Sequence, residues 1–293
     1  MATRQYFVAF ALMLGLAKPV LAHPGVGIVV DSRGNVFYTD LRHVWRQAPN
    51  GSLEIAVRDV HTHELLLTRG DTLYGEHLWY EGGVWHHRIW RREPNGRVDD
   101  VIPARSGFRD DYDDFHFVRD SSGAMHWADQ GATGTLPQIR TRLRAGPART
   151  LAAAPDGHVG WLAASKSGTV FFISGGDLYR VVDGSSEAMA RDVSEHSAVP
   201  WHVRFVGWMS GVLRRTGGPD HDVAGLWLDD DGNIYVAVPG GAMVKRITPR
   251  GEMTVVARGS SEWTVVGGTT VRGQLWLLET GADGRARARR ATM

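Results

Sequence analysis

The apolar and polar positions of this chain repeat as pairs of short strands. In VDSRGNVFYTD (Val30–Asp40) and LDDDGNIYVA (Leu228–Ala237), an apolar run precedes a glycine, and an alternating run rich in β-branched and aromatic residues follows it. RDSSGAMHWAD (Arg119–Asp129) has the same form. Side chains that alternate with a period of two on both sides of a glycine predict two antiparallel strands joined by a tight turn.

Six such units are found along the chain. Looser copies at residues 68–76, 165–174 and 271–279 join the three above, and successive turn glycines are 36 to 64 residues apart. Repeats of this length that consist of strands alone predict the blades of a β-propeller. The turn glycines are Gly34, Gly70, Gly123, Gly168, Gly232 and Gly273.

The aspartates of these turns look like the start of a calcium loop. Such a loop needs a bidentate carboxylate at its twelfth position. Counting from Asp229 leads to Gly240, and counting from Asp31 leads to Arg42, neither of which can serve. We therefore predict that the aspartates form the turns and bind no calcium.

The repeats resemble the six-bladed propellers of the NHL-repeat and SMP-30/gluconolactonase superfamily, most clearly in residues 24–40 and 221–252. The resemblance covers nearly all of residues 23–293 and implies an all-β fold, a single six-bladed β-propeller of the TolB/NHL type. No N-terminal strand remains to complete the last blade, so we expect a three-stranded sixth blade or closure by packing of the first blade on the last. The predicted repeats are residues 23–57, 58–104, 105–152, 153–193, 219–258 and 259–293, with an insertion at 194–218.

Composition narrows the class of protein and its location. Hydrophobic residues make up 43% and charged residues 22% of the chain, as in globular proteins. A net charge of +1 without a basic cluster excludes nucleic acid as an expected partner. Residues 1–22 contain Arg4, an apolar run and a small-residue end, which predicts a secretory signal peptide cleaved after Ala22. With no later apolar stretch of about 18 residues and no cysteine, we expect a periplasmic or secreted bacterial protein without a transmembrane segment after cleavage.

Histidines and carboxylates gather in one group of loops. In a propeller, the loops that enter the inner strands and leave the second strands open on the same face. Of the 13 histidines, all but His43 and His126 fall in or beside these loops. A bland alternative is that the long, exposed loops are simply polar.

Candidate metal ligands follow from the resemblance. In the lactonases of the family, a metal-binding glutamate begins an inner strand, fifteen residues before the acid that ends the second strand. The same count leads to His61 and Asp114 in the second and third repeats. Side chains two apart on a strand share a face, so His63 and His116 join them. The candidate ligands of a divalent metal (Zn, Mn, Fe or Ca) are His61, His63, Asp114, His116, His158 and Asp222, and the candidate catalytic residues are His61, His63, His116 and Asp114.

The later repeats depart from the family pattern. Ala224 stands where the family has an acid, and the family's asparagine and aspartate ligands have no counterpart, which argues against sugar-lactone hydrolysis specifically. The chain also lacks the G-x-S-x-G elbow of covalent acyl transfer.

Two aromatic segments are candidates for ligand binding. HLWYEGGVWHH (His77–His87) follows the second strand of the second repeat, and residues 196–213 form the longest insertion. They could hold the organic part of a ligand, or pack as hairpins on a neighbouring blade. The candidate ligand-binding residues are Trp79, Tyr80, Trp85, Trp201 and Trp208.

Two functions therefore stay open. One is a metal-dependent hydrolase of the lactone or ester type, or a lyase, acting at the axial mouth through imidazole and carboxylate groups. The other is a non-catalytic propeller that binds a small molecule or a protein on its histidine-rich face. The sequence does not indicate the oligomeric state.

The signal peptide is directly testable. Expressed in an export-competent bacterium, the full chain should yield an exported protein whose N-terminal sequence begins at His23. Ala22→Phe should accumulate as uncleaved precursor, because the cleavage site requires a small residue. A chain that retains Met1 and stays in the cytoplasm would contradict the prediction.

Overall fold

The computed structural model describes residues 27–107, 114–131, 135–143, 146–194, 223–239 and 242–291. These residues form 22 strands in six antiparallel sheets, arranged in a ring as a six-bladed β-propeller. The predicted all-β propeller is thus confirmed. Within the described ranges no helix is long and apolar enough to cross a membrane.

Each sheet is one blade, with its strands in chain order from the axis outwards. Blade 1 contains β1 (Ile28–Val30), β2 (Val36–Thr39), β3 (Val44–Gln47) and β4 (Leu53–Val57). Blade 2 contains β5 (Leu65–Leu67), β6 (Leu73–Glu81), β7 (Val84–Arg92) and β8 (Val98–Ser106). Blade 3 contains β9 (Ala124–Asp129), β10 (Gln138–Leu143) and β11 (Arg149–Ala153). Blade 4 contains β12 (Val159–Ala164), β13 (Val170–Ser174), β14 (Asp177–Val182) and β15 (Ser185–Ala190). Blade 5 contains β16 (Gly225–Leu228), β17 (Ile234–Val238), β18 (Met243–Ile247) and β19 (Met253–Arg258). Blade 6 contains β20 (Trp263–Val271), β21 (Gln274–Gly281) and β22 (Ala286–Ala291).

Blades 3 and 6 have three strands. In blade 3 the inner strand is reduced to one isolated bridge, between Arg119 and Met125. Blade 6 ends with β22, which confirms the prediction of a three-stranded last blade.

The core lies between the blades. Phe37 of blade 1 and Trp90 of blade 2 belong to one such cluster, and both are buried. The ring closes by the same kind of contact, because Ile28 of blade 1 packs with Leu275 and Leu277 of blade 6. None of the described strands is shared between these two blades, so packing of apolar sheet faces joins the first blade to the last.

The aspartates of the glycine turns accept hydrogen bonds from backbone N–H groups of their own turns. Oδ1 of Asp229 accepts the backbone N–H groups of Asp231 at 3.0 Å and Asn233 at 2.8 Å. Asp31 accepts the corresponding groups of Arg33 and Asn35 at 3.0 and 2.8 Å. This is the geometry of a turn-forming aspartate, as predicted.

A buried carboxylate holds blade 6 together. Glu279 is 1% exposed and lies on β21. It accepts a hydrogen bond from Nε of Arg287 at 2.8 Å and from Nε and Nη2 of Arg289 at 2.9 and 2.7 Å. Nη2 of Arg289 also reaches the Arg258 carbonyl of blade 5 at 3.2 Å. Two cations therefore compensate the burial of one anion.

Glu279→Gln should destabilise the propeller. The substitution leaves two guanidinium groups without their anion, although both are partly exposed, so we expect the free energy of unfolding to fall by about 1–3 kcal/mol. Denaturant titration measures this change. Glu187→Gln is the matched control, because the exposed pair between Arg180 and Glu187 contributes no more than about 1 kcal/mol. Equal effects of the two substitutions would contradict the assigned role of Glu279.

Candidate functional site

The inner segments of all six blades surround an axial cavity of about 180 Å³. Glu64 and Leu65 of blade 2 and Gly27 of blade 1 are among the residues that line it. We call the face at which the chain enters the inner strands the upper face. The turns that follow the second strands open on this face as well.

His61 and His63 lie on the upper face, next to the cavity. They precede β5, which begins only at Leu65, so the prediction that they begin the inner strand is wrong. The buried Thr62 between them fixes this loop, since its carbonyl accepts the hydroxyl of Thr39 at 2.7 Å. The two imidazole rings meet edge to face, with centroids 4.6 Å apart.

A buried carboxylate holds His63. Oε1 of Glu76, which is 3% exposed, lies 3.0 Å from Nδ1 of His63 and accepts its backbone N–H at 3.2 Å. Nε2 of His63 is buried and has no hydrogen-bond partner within the described residues. The pair between Glu76 and His63 therefore fixes the orientation of the His63 ring.

The other acids at the ends of second strands serve their own blades. Asp40 accepts Nε1 of Trp45 at 2.8 Å, and Asp129 accepts Nη1 of Arg140 at 3.0 Å. Glu279 binds arginines, as described above. Among these acids of the described residues, Glu76 is thus the one that forms a hydrogen bond with a histidine of the axial mouth.

His61 is the other histidine of this loop. Its Nδ1 lies 3.0 Å from the carbonyl oxygen of Leu41, and because a carbonyl can only accept, the proton of the neutral ring is on Nδ1. No described residue forms a hydrogen bond with its Nε2. Burial lowers the pKa of His61, and the neighbouring His63 lowers it further, although the Leu41 carbonyl and Glu76 act in the opposite direction. A neutral imidazole whose Nε2 lone pair is not used by a described residue is suited to accept a proton.

His77 extends the cluster. Its Nδ1 accepts the backbone N–H of His61 at 2.8 Å. Its ring stacks on Trp79 with centroids 4.8 Å apart, and Trp79 stacks on His86 at 5.3 Å. Burial lowers the pKa of His77, and the positive charge of Arg88 lowers it further. The cluster on blade 2 thus contains His61, His63, Glu76 and His77, and we call it the blade 2 cluster.

The aromatic segment of blade 2 is a projecting hairpin. It continues β6 and β7, which have nine residues each, whereas β2 and β3 of blade 1 have four each. Trp79 pairs with His86 and Tyr80 pairs with Trp85, so the two pairs lie on opposite faces of the hairpin. Tyr80 is 61% exposed and contacts Trp85 at 5.2 Å between centroids.

The remaining sequence candidates do not join this cluster. Asp114 forms an ion pair with Arg105, and the buried His116 stacks on Trp127 at 4.4 Å. His158 is exposed on blade 4. Three further candidates lie outside the described residues, namely Trp201, Trp208 and Asp222. In the part of the chain that the structure covers, no three histidine, aspartate or glutamate side chains are placed to hold a metal ion.

Glu76 and His77 are the members of the blade 2 cluster that sequence reasoning did not select. The sequence did point to Glu76, because Glu76 is the acid at the end of the second strand that lies fifteen residues after His61. The structure instead pairs Glu76 with His63, thirteen residues before it. The count assumed a regular strand, and the loop at Thr62 breaks that register.

No protein-family model and no curated protein matches this chain. Solved structures do match it. A gluconolactonase from Xanthomonas campestris is 15% identical, with 92% of this chain and 86% of that chain covered and a TM-score of 0.56. Regucalcin, a calcium-binding protein from Agrobacterium tumefaciens, is 14% identical, with coverage of 87% and 81% and a TM-score of 0.52. A Bacteroides thetaiotaomicron protein of unknown function is 12% identical, with coverage of 91% and 68% and a TM-score of 0.58. At such identities these similarities show a shared β-propeller fold and no more.

Proposed function

We propose that this protein is an enzyme of the hydrolase or lyase type in which His61 transfers a proton at the axial mouth. The observation that carries the proposal is the state of His61: its Nδ1–H is held by the Leu41 carbonyl, burial lowers its pKa, and no described residue forms a hydrogen bond with its Nε2. The fold shared with a gluconolactonase is compatible with lactone or ester substrates but does not select them.

The proposed proton transfer needs only groups of this chain. In hydrolysis, Nε2 of His61 takes a proton from water as the water oxygen attacks the carbonyl carbon, and the imidazolium returns that proton to the departing oxygen. In elimination, Nε2 takes the proton from carbon while the leaving group departs from the adjacent carbon. Glu76 and His63 are positioning residues. Glu76 holds the His63 ring by its Nδ1, and the His63 ring contacts the His61 ring edge to face.

A divalent metal fits the described residues only in part. His61 and His63 both engage Nδ1 with an oxygen acceptor, as metal-bound imidazoles do. Protein metal sites usually have at least three ligands, and Asp222 lies outside the described residues. No step of the proposed reaction therefore uses a metal, and metal binding stays a prediction.

Ligand binding without catalysis is the second candidate function. The projecting hairpin supports it, because Tyr80 is 61% exposed beside Trp85. Exposed aromatic side chains of this kind are common in binding surfaces. For either function we propose export to the periplasm or the medium, on the basis of residues 1–22.

His61→Gln should lower kcat/KM by about 10²–10⁴-fold, the usual contribution of a general base. The assay is turnover of p-nitrophenyl acetate, δ-valerolactone and a β-aryloxy ketone by the full chain. His43→Gln is the control, because the structure places His43 at the end of the turn between β2 and β3, which opens on the upper face, and within the described residues its Nδ1 accepts the backbone N–H of Asp59. If the wild type turns over none of these probes, the proposal fails for these reactions, and if His61→Gln retains full activity, the assignment of the base is wrong.

The pH dependence of kcat/KM distinguishes a positioning role of Glu76 and His63 from a role in folding alone. Since the neutral form of His61 accepts the proton, kcat/KM should fall as the pH drops through its pKa, which lies below 6.5. The charge of Glu76 raises this pKa, so Glu76→Gln should move the acid limb to lower pH. His63 lowers the pKa, so His63→Gln should move the limb to higher pH. Limbs that do not move in opposite directions would reject the positioning roles.

Metal binding is tested by titration of the chelator-treated protein with Zn²⁺ in a calorimeter. We expect wild type and Asp114→Ala to bind equally, because Asp114 is paired with Arg105. His61→Ala/His63→Ala should bind at least tenfold more weakly. Equal binding by all three proteins, or by none, would show that the metal prediction is wrong.

A further inference from the structure

Blade 6 lacks an outermost strand. Its third strand, β22, lies at the rim of the ring, whereas the third strands of the four-stranded blades are each covered by a fourth. Blade 3 also has three strands, but there the inner strand is reduced and β11 holds the outermost position. No strand in the described ranges pairs with the outer edge of β22. The rim therefore has a recess at blade 6 that is one strand spacing deep, about 4.8 Å.

The outer edge of β22 presents backbone hydrogen-bonding groups. Just before the strand begins, the N–H of Gly281 donates to the carbonyl of Arg285 at 2.8 Å, and β21 and β22 stay in regular register from there on. Hydrogen-bonded and non-hydrogen-bonded pairs alternate in an antiparallel ladder, so every second residue of β22 turns its N–H and C=O groups away from β21. These residues are Ala286, Ala288 and Arg290. An added strand would find donors and acceptors in a row there.

β22 is also the most basic of the outermost strands. It carries Arg287, Arg289 and Arg290, and Glu279 is the ionisable residue of the other two strands, so three arginines and one glutamate give the strands of blade 6 a net charge of +2. The outermost strands of the other five blades carry one arginine or none, and no lysine. Arg290 is exposed, and Arg287 and Arg289 stay partly exposed although they bind Glu279. Acidic side chains on an added strand would form favourable cross-strand pairs with these arginines.

Blade 1 forms an apolar wall beside the recess. Trp45 of β3 packs against the cluster that blades 1 and 6 share, and Ile55 lies opposite Trp45 on β4. Leu53 is two residues from Ile55, so both side chains face blade 6. Leu53 is 53% exposed, since blade 6 has no described fourth strand to cover it. Apolar side chains of an added strand would bury this surface.

We propose that the outer edge of blade 6 binds an acidic, extended segment of another protein, which adds to β22 as the fourth strand of the blade. Charge decides between this partner and a second copy of the chain. A symmetric pair of β22 strands would place arginines opposite arginines, which is unfavourable. The edge lies at the rim of blade 6, on a different blade from the blade 2 cluster, so the inference is independent of the proposed function.

The probe is a fluorescein-labelled peptide of about ten residues in which valine and glutamate alternate, a length and pattern typical of a strand. Fluorescence anisotropy should show saturable binding of this peptide to the wild-type protein. The same peptide with lysine in place of glutamate should bind at least tenfold more weakly, because β22 is basic. Hydrogen exchange should show that the bound acidic peptide protects residues 286–291.

Ala288→Pro separates strand pairing from charge. It keeps every arginine and removes an N–H group that points away from β21, so it should weaken peptide binding at least tenfold while blade 6 keeps its own ladder. Ala188→Pro is the matched control and should bind normally. Asp183 and Gly184 form a two-residue hairpin turn, so the exposed Ala188 also turns its N–H outward, but on β15 of a complete blade.

Thermal unfolding checks that Ala288→Pro is folded. If it is not, Arg290→Pro carries the test and should bind at least tenfold more weakly than Arg290→Ala, which removes the same charge but keeps the N–H. Absence of saturable binding to the wild type, equal binding of the lysine peptide, or unchanged binding by a folded proline variant would overturn the inference. A wild-type dimer that Ala288→Pro abolishes would assign the edge to a second copy and overturn it as well.

Discussion

The packing of each sheet face against the next blade is the constraint on which this structure depends. A blade of three or four strands cannot bury both of its faces alone, and the apolar clusters lie between neighbouring blades. Blade 6 meets blade 1 in the same way, and no strand in the described ranges is shared between these two blades. This packing brings six inner segments to the axis, and the narrow cavity between them is its direct consequence.

A buried glutamate on the second strand has a different role in blade 2 and in blade 6. Glu76 and Glu279 both lie on the second strands of their blades and are buried. Arginines from the adjacent strand neutralise Glu279 and join it to blade 6, whereas Glu76 turns to a histidine of the inner loop. A buried carboxylate requires a partner in either case, and the identity of that partner decides whether it stabilises a blade or organises a site. Asp40 and Asp129 follow the structural pattern.

Blade 2 departs from the repeat in its long second and third strands, and the candidate chemistry is concentrated on it. Its inner strand is short, which leaves His61 and His63 in a loop above β5. Its second and third strands are long, which raises an aromatic hairpin above the upper face on the same blade. His77 connects the two features, because it binds the His61 backbone and stacks on Trp79. The proposed base, the proposed positioning groups and the aromatic hairpin therefore share one contiguous region of blade 2.

The sequence by itself determined the six units, their glycine turns, the role of the turn aspartates and the three-stranded last blade. These features follow from strand periodicity and from hydrogen bonds within a few residues, which are local properties. The sequence also placed His61 and His63 at the mouth. Only the tertiary structure decided that Glu76 holds His63, that Asp114 pairs with Arg105 and that His116 stacks on Trp127. Those partners lie nine to thirteen residues away along the chain, on other strands or loops. Which side chains meet there depends on loop paths and strand register, and the spacing of residues alone does not encode either.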